Sequence, residues 1–232
     1  MGRGDIYKRS FQMRLRYPTW ALLCCIAAVG PINATTYTSA RDGVWSNPET
    51  WGGFGVPATN DNASIKHLVT VDRDTSVGTS PSTEKLASSF AICISVKNST
   101  KDRGRLIVAA GVTLRARGDI RMESSNQRDF HPVYQMEPGS RLVFDSSAAS
   151  DPNAAHYRIY TPDQSNGTYR ASYVRILGSE GAPVRFSSET SGRIATNGVA
   201  NNHMFIEQRG SSGGAYGVMD VVVQWAEIED CG

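Results

Sequence analysis

The residues best equipped for chemistry lie near the C-terminal end. Glu227 and Glu229 alternate on one expected strand face after Trp225, with Asp230 beside them and Asp220 a little earlier. Two carboxylates held at a fixed separation can carry out glycoside hydrolysis, one as acid and the other as base or nucleophile. The plainer reading of these residues is a solvated strand end. A second cluster is aromatic and basic: Tyr157, Tyr160, Tyr169 and Tyr173 fall among Arg158, Arg170 and Arg175. Rings that stack on sugar faces, with guanidinium groups nearby for sugar carboxylates, would suit an acidic polysaccharide. The alternative is that the rings pack between strands and the arginines solvate the surface.

Other chemistry is less well supplied. His67, His131, His156 and His203 are scattered, and no pair has metal-ligand spacing. Asp72 and Asp74 flank Arg73 but lack the spaced acidic series of a calcium loop. Gly210, Gly213, Gly214 and Gly217 form a Gly/Ser-rich stretch outside any strand-to-helix phosphate architecture. The same stretch lacks the strand-to-helix turn that a nucleophile elbow needs. No metal and no cofactor are expected.

The elements that must position these residues are strands. Apolar residues make up 40% and charged residues 20% of the 232, which places the chain among globular proteins rather than disordered ones. Helical periodicity is nearly absent, and only residues 82–90 suit a short helix. Period-two alternation is common: Ala63, Ile65, Val69 and Val71; Leu114 and Ala116; Leu142 and Phe144; Val174 and Ile176; Val184 and Phe186; Met204 and Ile206; Val221, Val223 and Trp225. Three strands share a pattern in which Gly111, Gly139 or Gly181 is followed three and five positions later by apolar residues. Their separations of 28 and 42 residues suit coils with loops of varying length. The expected fold is all-β, a right-handed parallel β-helix, with a β-sandwich as the alternative.

The N-terminus has a different character. Arg3, Lys8, Arg9, Arg14 and Arg16 precede an apolar run from Trp20 to Val29, which Gly30-Pro31 breaks before Ile32-Asn33-Ala34. That order is a secretory signal with cleavage after Ala34, and the run is too short to span a bilayer. Residues 1–34 carry five Lys/Arg and one acid, so removing them turns the chain's +2 into −2. A near-neutral domain argues against nucleic acid and against an anionic membrane surface as partners. Cys93 and Cys231 would remain, and an oxidising compartment permits a disulfide between them.

The most specific stretch reads Asp42-Gly43-Val44-Trp45-Ser46-Asn47-Pro48-Glu49-Thr50-Trp51-Gly52-Gly53, then Gly55-Val56-Pro57, Asn60-Asp61 and Ile65-Lys66-His67-Leu68-Val69-Thr70-Val71-Asp72. Two tryptophans six residues apart flank a turn-rich loop that can cover the exposed end of a stack of strands. This stretch resembles the G-eight (eight-glycine) domain family of secreted and cell-surface proteins. Trp45, Trp51, Gly52, Gly53, Pro57 and Asp61 carry the motif. Where the family has a glycine-containing turn, this chain has Lys66-His67-Leu68, which leaves one continuous strand from Ile65 to Val71 as an alternative to two.

The resemblance implies an extracellular module associated with polysaccharide. The expected plan is a signal peptide (1–34), a tryptophan-loop cap with first strands (35–80) and β-helix coils (81–232) truncated at the C-terminus. The expected function is a secreted or cell-surface module that binds polysaccharide or an extracellular matrix glycan, or acts as a surface scaffold. It has no transmembrane helix after cleavage. The alternative is a polysaccharide lyase or glycoside hydrolase, or its N-terminal part.

Overall fold

Alternation along each strand decides which side chains face inward. In the computed structural model the described residues are 34–78, 92–99, 101–124, 131–145, 156–162, 170–189, 203–208 and 217–229. The expected leader, apart from Ala34, and the expected helix at 82–90 lie outside them. Two short strands come first, β1 (Thr36–Thr38) and β2 (Gly43–Val44). Five trios follow. They are β3 (Asn62–Ile65), β4 (Leu68–Val71), β5 (Thr75–Val77); β6 (Ile92–Asn98), β7 (Arg105–Val108), β8 (Thr113–Ala116); β9 (Asp119–Ser124), β10 (Val133–Met136), β11 (Arg141–Asp145); β12 (His156–Thr161), β13 (Arg170–Leu177), β14 (Val184–Glu189); and β15 (His203–Gln208), β16 (Gly217–Gln224), β17 (Ala226–Glu229).

Each trio adds one strand to each of three sheets. Their orders are β1-β3-β6-β9-β12-β15, β2-β4-β7-β10-β13-β16 and β5-β8-β11-β14-β17. The ladders between these strands are parallel, whereas a β-sandwich is built from antiparallel ones. The fold is therefore all-β with three parallel sheets, an arrangement consistent with a β-helix.

Register turns this repetition into a core. The inward columns run Ala63–Ile94–Ile120–Ile159–Ile206 in the first sheet. In the second they run Val69–Leu106–Tyr134–Val174–Val221 and Val71–Val108–Met136–Ile176–Val223. In the third, Leu114–Leu142–Phe186–Ile228 line up. Except at the last layer these side chains are buried, and those of all three sheets join one apolar cluster. At about 25 cal/mol per Å² of apolar surface, this burial is the main favourable contribution to folding.

Corners are made in several ways. Gly111 and Gly139 both have φ of 72°, a left-handed conformation in which glycine avoids the Cβ penalty. They stack through Gly111 N–H donating to Pro138 O (3.1 Å) and Gly139 N–H donating to Ala182 O (2.8 Å). Gly181, expected to act the same way, has no such φ; its turn is closed by the Ser179–Ala182 bridge. The segment from Ile65 to Val71 is two strands in different sheets, not one. Ser39 Oγ accepts the Lys66 and His67 N–H groups (2.8 and 3.2 Å), so a buried hydroxyl turns the corner without glycine.

The face expected from Val221, Val223 and Trp225 differs as well. Both valines occupy inward columns but stay exposed at the end of the stack. Trp225 falls between β16 and β17 with φ of 50°.

Buried polar groups tie the layers together. Asp119 accepts from the Arg158 backbone N–H (2.9 Å) and from its Nε (3.1 Å) and Nη2 (2.8 Å), with both side chains buried. Within one layer, Thr161 Oγ1 and Ser172 Oγ lie 2.6 Å apart, also buried. Cys93 is a free, buried thiol that donates to Gly118 O (3.2 Å); Cys231 lies outside the described residues. Burial, reinforced by the charge on Asp119, pushes the Cys93 thiol far above its usual range.

Two substitutions of buried polar side chains should differ in their effect on stability. Asp119→Ala leaves a buried guanidinium without this partner and is expected to cost about 3–5 kcal/mol in urea denaturation. Tyr134→Phe removes a buried hydroxyl that has no hydrogen-bond partner among the described residues. It is expected to be neutral or to stabilise by about 1 kcal/mol in the same assay.

Candidate functional site

The segment between β2 and β3 folds around its own turn chemistry. Asn47 Oδ1 accepts Glu49 N–H (3.0 Å), and Pro48 begins a 3₁₀ turn, Pro48–Trp51. Gly52 ends it in the left-handed conformation (φ 76°), and Gly53 follows at 85°. The turn folds Trp51 back onto Trp45, with ring centroids 4.9 Å apart and planes at 74°. Both indoles are buried and both N–H groups are satisfied: Trp45 Nε1 donates to Pro57 O (3.1 Å) and Trp51 Nε1 to Trp45 O (2.9 Å). Asp61 closes the next turn by accepting Ala58 N–H (3.1 Å).

Carboxylates staple this loop to the strands. Asp72 accepts from the Ser46 N–H (3.0 Å) and from its hydroxyl. Asp42 accepts Leu68 N–H (2.8 Å), and Asp74 accepts Thr113 N–H in the next layer (2.8 Å). Asp72 and Asp74 therefore serve as backbone anchors. Among the described residues no group of three His, Cys, Asp or Glu is placed to hold a metal ion.

Beside this loop runs an open groove of about 550 Å3. Its walls are residues 35–40 along β1, together with Trp51, Gly52 and Phe54. Thr35, Thr36 and Thr38 are exposed along it, while Tyr37 packs edge-on against Trp51 at 6.5 Å. Phe54 is 86% exposed. An exposed ring beside a row of hydroxyls, on a strand edge with no partner among the described residues, offers stacking and hydrogen bonds together, with no charged group in the lining. Sequence reasoning passed over Phe54 and Tyr37. The signal for Phe54 was a lone aromatic between Gly53 and Gly55, where a loop has nothing to bury it.

The tyrosine-arginine cluster is divided by the fold. Tyr169 lies outside the described residues, as do the side chains of Tyr157 and Arg170. Arg158 and Tyr160 are interior, with the guanidinium 4.5 Å from the ring centroid and ion-paired to Asp119. Burial takes both out of reach of a polysaccharide, a correction to the expected binding surface. Tyr173 and Arg175 do lie together on the outer face of the second sheet. Arg175 sits 4.7 Å above the Tyr173 ring and bonds Asp220 Oδ2 (2.7 Å) and Asp220 O (2.9 Å). His131 abuts the same ring edge-on at 5.2 Å. One ring face and the guanidinium are thus already occupied.

Glu227 and Glu229 share an outer face of the third sheet. Glu227 accepts from Arg185 Nε (2.9 Å), and Glu229 bonds Arg141 Nη2 (3.2 Å) and Arg185 Nε (3.4 Å). Hydrogen bonding to Glu227, then the charges of Glu227 and Glu229, raise the Arg185 pKa. The carboxylates form a ladder of ion pairs between layers, with oxygens turned to arginine. Asp230 lies outside the described residues.

Among the described residues no helix is long and apolar enough to cross a membrane. No family model, curated protein or solved structure matches the chain.

Asp72 gives the loop a pH dependence. Burial raises its pKa, but the hydrogen bonds from Ser46 and its own amide, with Arg73 nearby, outweigh this and leave it below the ordinary 3.8. A depressed carboxylate stabilises the fold fully above its ordinary range, and that contribution is lost as pH falls through the folded value. Asp72→Asn should therefore melt below wild type at neutral pH, with the difference closing in acid. Paired thermal melts across pH would test this.

Proposed function

We propose that the chain is a secreted or cell-surface module, a right-handed parallel β-helix with a tryptophan-loop cap of the G-eight kind, and that the cap groove binds polysaccharide. The observation that carries this reading is Phe54, 86% exposed above the threonine-lined edge of β1. An exposed ring among hydroxyls suits the apolar face and the hydroxyl rim of a sugar. The uncharged lining favours a neutral stretch of glycan. The guanidinium groups that an acidic sugar would need at the tyrosine-arginine cluster are engaged by Asp119 and Asp220. The basic, apolar and small-residue order of residues 1–34 supports export, and the parallel stack beneath the cap supplies a rigid scaffold on which a surface module can be extended.

The protein recovered from culture medium, expressed with its own leader, would be presented to panels of neutral and acidic polysaccharides. Retention on a neutral glycan is expected. Phe54→Ala should weaken it severalfold, up to about tenfold, since stacking on one aromatic contributes about 0.5–1.5 kcal/mol, with no change in melting temperature. Loss of stability in that variant, or retention equal to wild type, would remove the groove from the reading. Shortening of the polysaccharide in the same samples would make the chain an enzyme.

A further inference from the structure

A second groove, of about 420 Å3, lies on the other side of the tryptophan loop. Its walls are residues 56–59 and 73–76, together with Trp45. Each groove follows the outermost strand of its sheet, β1 in the first case and β5 in the second. Thr59 bridges to Gly78 just past the end of β5, and on that side Thr75 and Ser76 have no strand partner among the described residues. The loop is the wall between the grooves. Trp51 belongs to the first lining and Trp45 to the second, and their rings touch. Phe54 lines the first groove and Val56 the second, with only Gly55 between them. Their Cα atoms are therefore no more than about 7 Å apart. Gly55 has φ of 108°, so the crest is held by a residue with no side chain to raise it.

The chemistry of the second groove differs from that of the first. Thr59, Thr75 and Ser76 again supply hydroxyls, but Arg73 and Asp74 add a donor and an acceptor that carry charge. Arg73 is exposed, and its side chain makes no hydrogen bond or ion pair among the described residues. Asp74 Oδ1 accepts Thr113 N–H (2.8 Å), which leaves Oδ2 without a donor among the described residues. A guanidinium and a carboxylate in one lining can donate to and accept from neighbouring hydroxyls of a sugar ring. An acidic sugar is poorly served here, because Asp72 and Asp74 flank the single guanidinium. We propose that this groove is a second subsite for the glycan of the cap groove, in which Arg73 and Asp74 bind the hydroxyls of neutral sugar units that have crossed the loop at Gly55. The inference rests on the cap groove binding polysaccharide, and it makes recognition depend on chain length: short oligosaccharides occupy one groove, longer ones both.

Isothermal titration of the intact chain with neutral gluco-, manno- and xylo-oligosaccharides of two to eight units tests this. Affinity is expected to rise about tenfold or more from the shortest to the longest members of the series that binds. Arg73→Ala should weaken the octasaccharide about tenfold and leave short members and the melting temperature unchanged. Asp74→Asn should act in the same way, since its amide oxygen can still accept Thr113 N–H while a donor replaces Oδ2. Should Arg73→Ala lower the melting temperature, Asp74→Asn is read alone. Phe54→Ala should weaken every length. Affinity that does not grow with length, or octasaccharide binding untouched by both variants, while Phe54→Ala still weakens binding, overturns the second subsite and leaves the cap groove standing. Oligogalacturonates bound as tightly as neutral chains of equal length overturn the assignment of Arg73 and Asp74 to neutral sugars. Binding at no length, or Phe54→Ala without effect at any length, overturns the cap groove itself and this inference with it.

Discussion

In-register parallel pairing between successive trios is the constraint from which the rest of this structure follows. Neighbouring strands lie about 4.8 Å apart, so a residue in one layer has its counterpart directly above and below. Whatever occupies an inward position must be compatible with a whole column. Ile94, Ile120, Ile159 and Ile206 meet that demand with one residue type, and the Val69 column with Val, Leu, Tyr, Val and Val. The corners follow the same rule, which is why Gly111 and Gly139 stack with matching φ.

The first layer of the stack is covered by a loop rather than by another trio. At the N-terminal end the tryptophan loop buries two large rings and satisfies both indole N–H groups, removing apolar surface and polar need together. The loop is fixed from below by Asp42 and Asp72 and from within by Asn47. The groove with Phe54 is a by-product of that closure: a loop that turns sharply at Gly52 and Gly53 has no interior left for the next ring.

Charge follows the layers as well. Arg141, Arg185, Glu227 and Glu229 form a ladder along one face, and Arg175 reaches Asp220 in the neighbouring strand. Exposed pairs of this sort contribute little each. The buried pair of Asp119 and Arg158 is different, because each would be costly to bury alone. It also shows how an arginine beside tyrosines can belong to the interior.

The sequence alone determined the strand character and most inward residues, because period-two alternation is a local property that survives any tertiary arrangement with a buried face. It also carried the tryptophan-loop turns, since Asn47-Pro48 and Gly52-Gly53 act within a few residues. Three things needed the tertiary structure. The corner at Lys66 and His67 depends on Ser39, 27 and 28 residues away, so no local signal announced it. Whether Glu227, Glu229, Arg158 and Arg175 faced a ligand or partners within the chain depended on residues 39 to 88 positions distant. And Val221 and Val223 have the pattern of core residues, but among the described residues no further layer covers them.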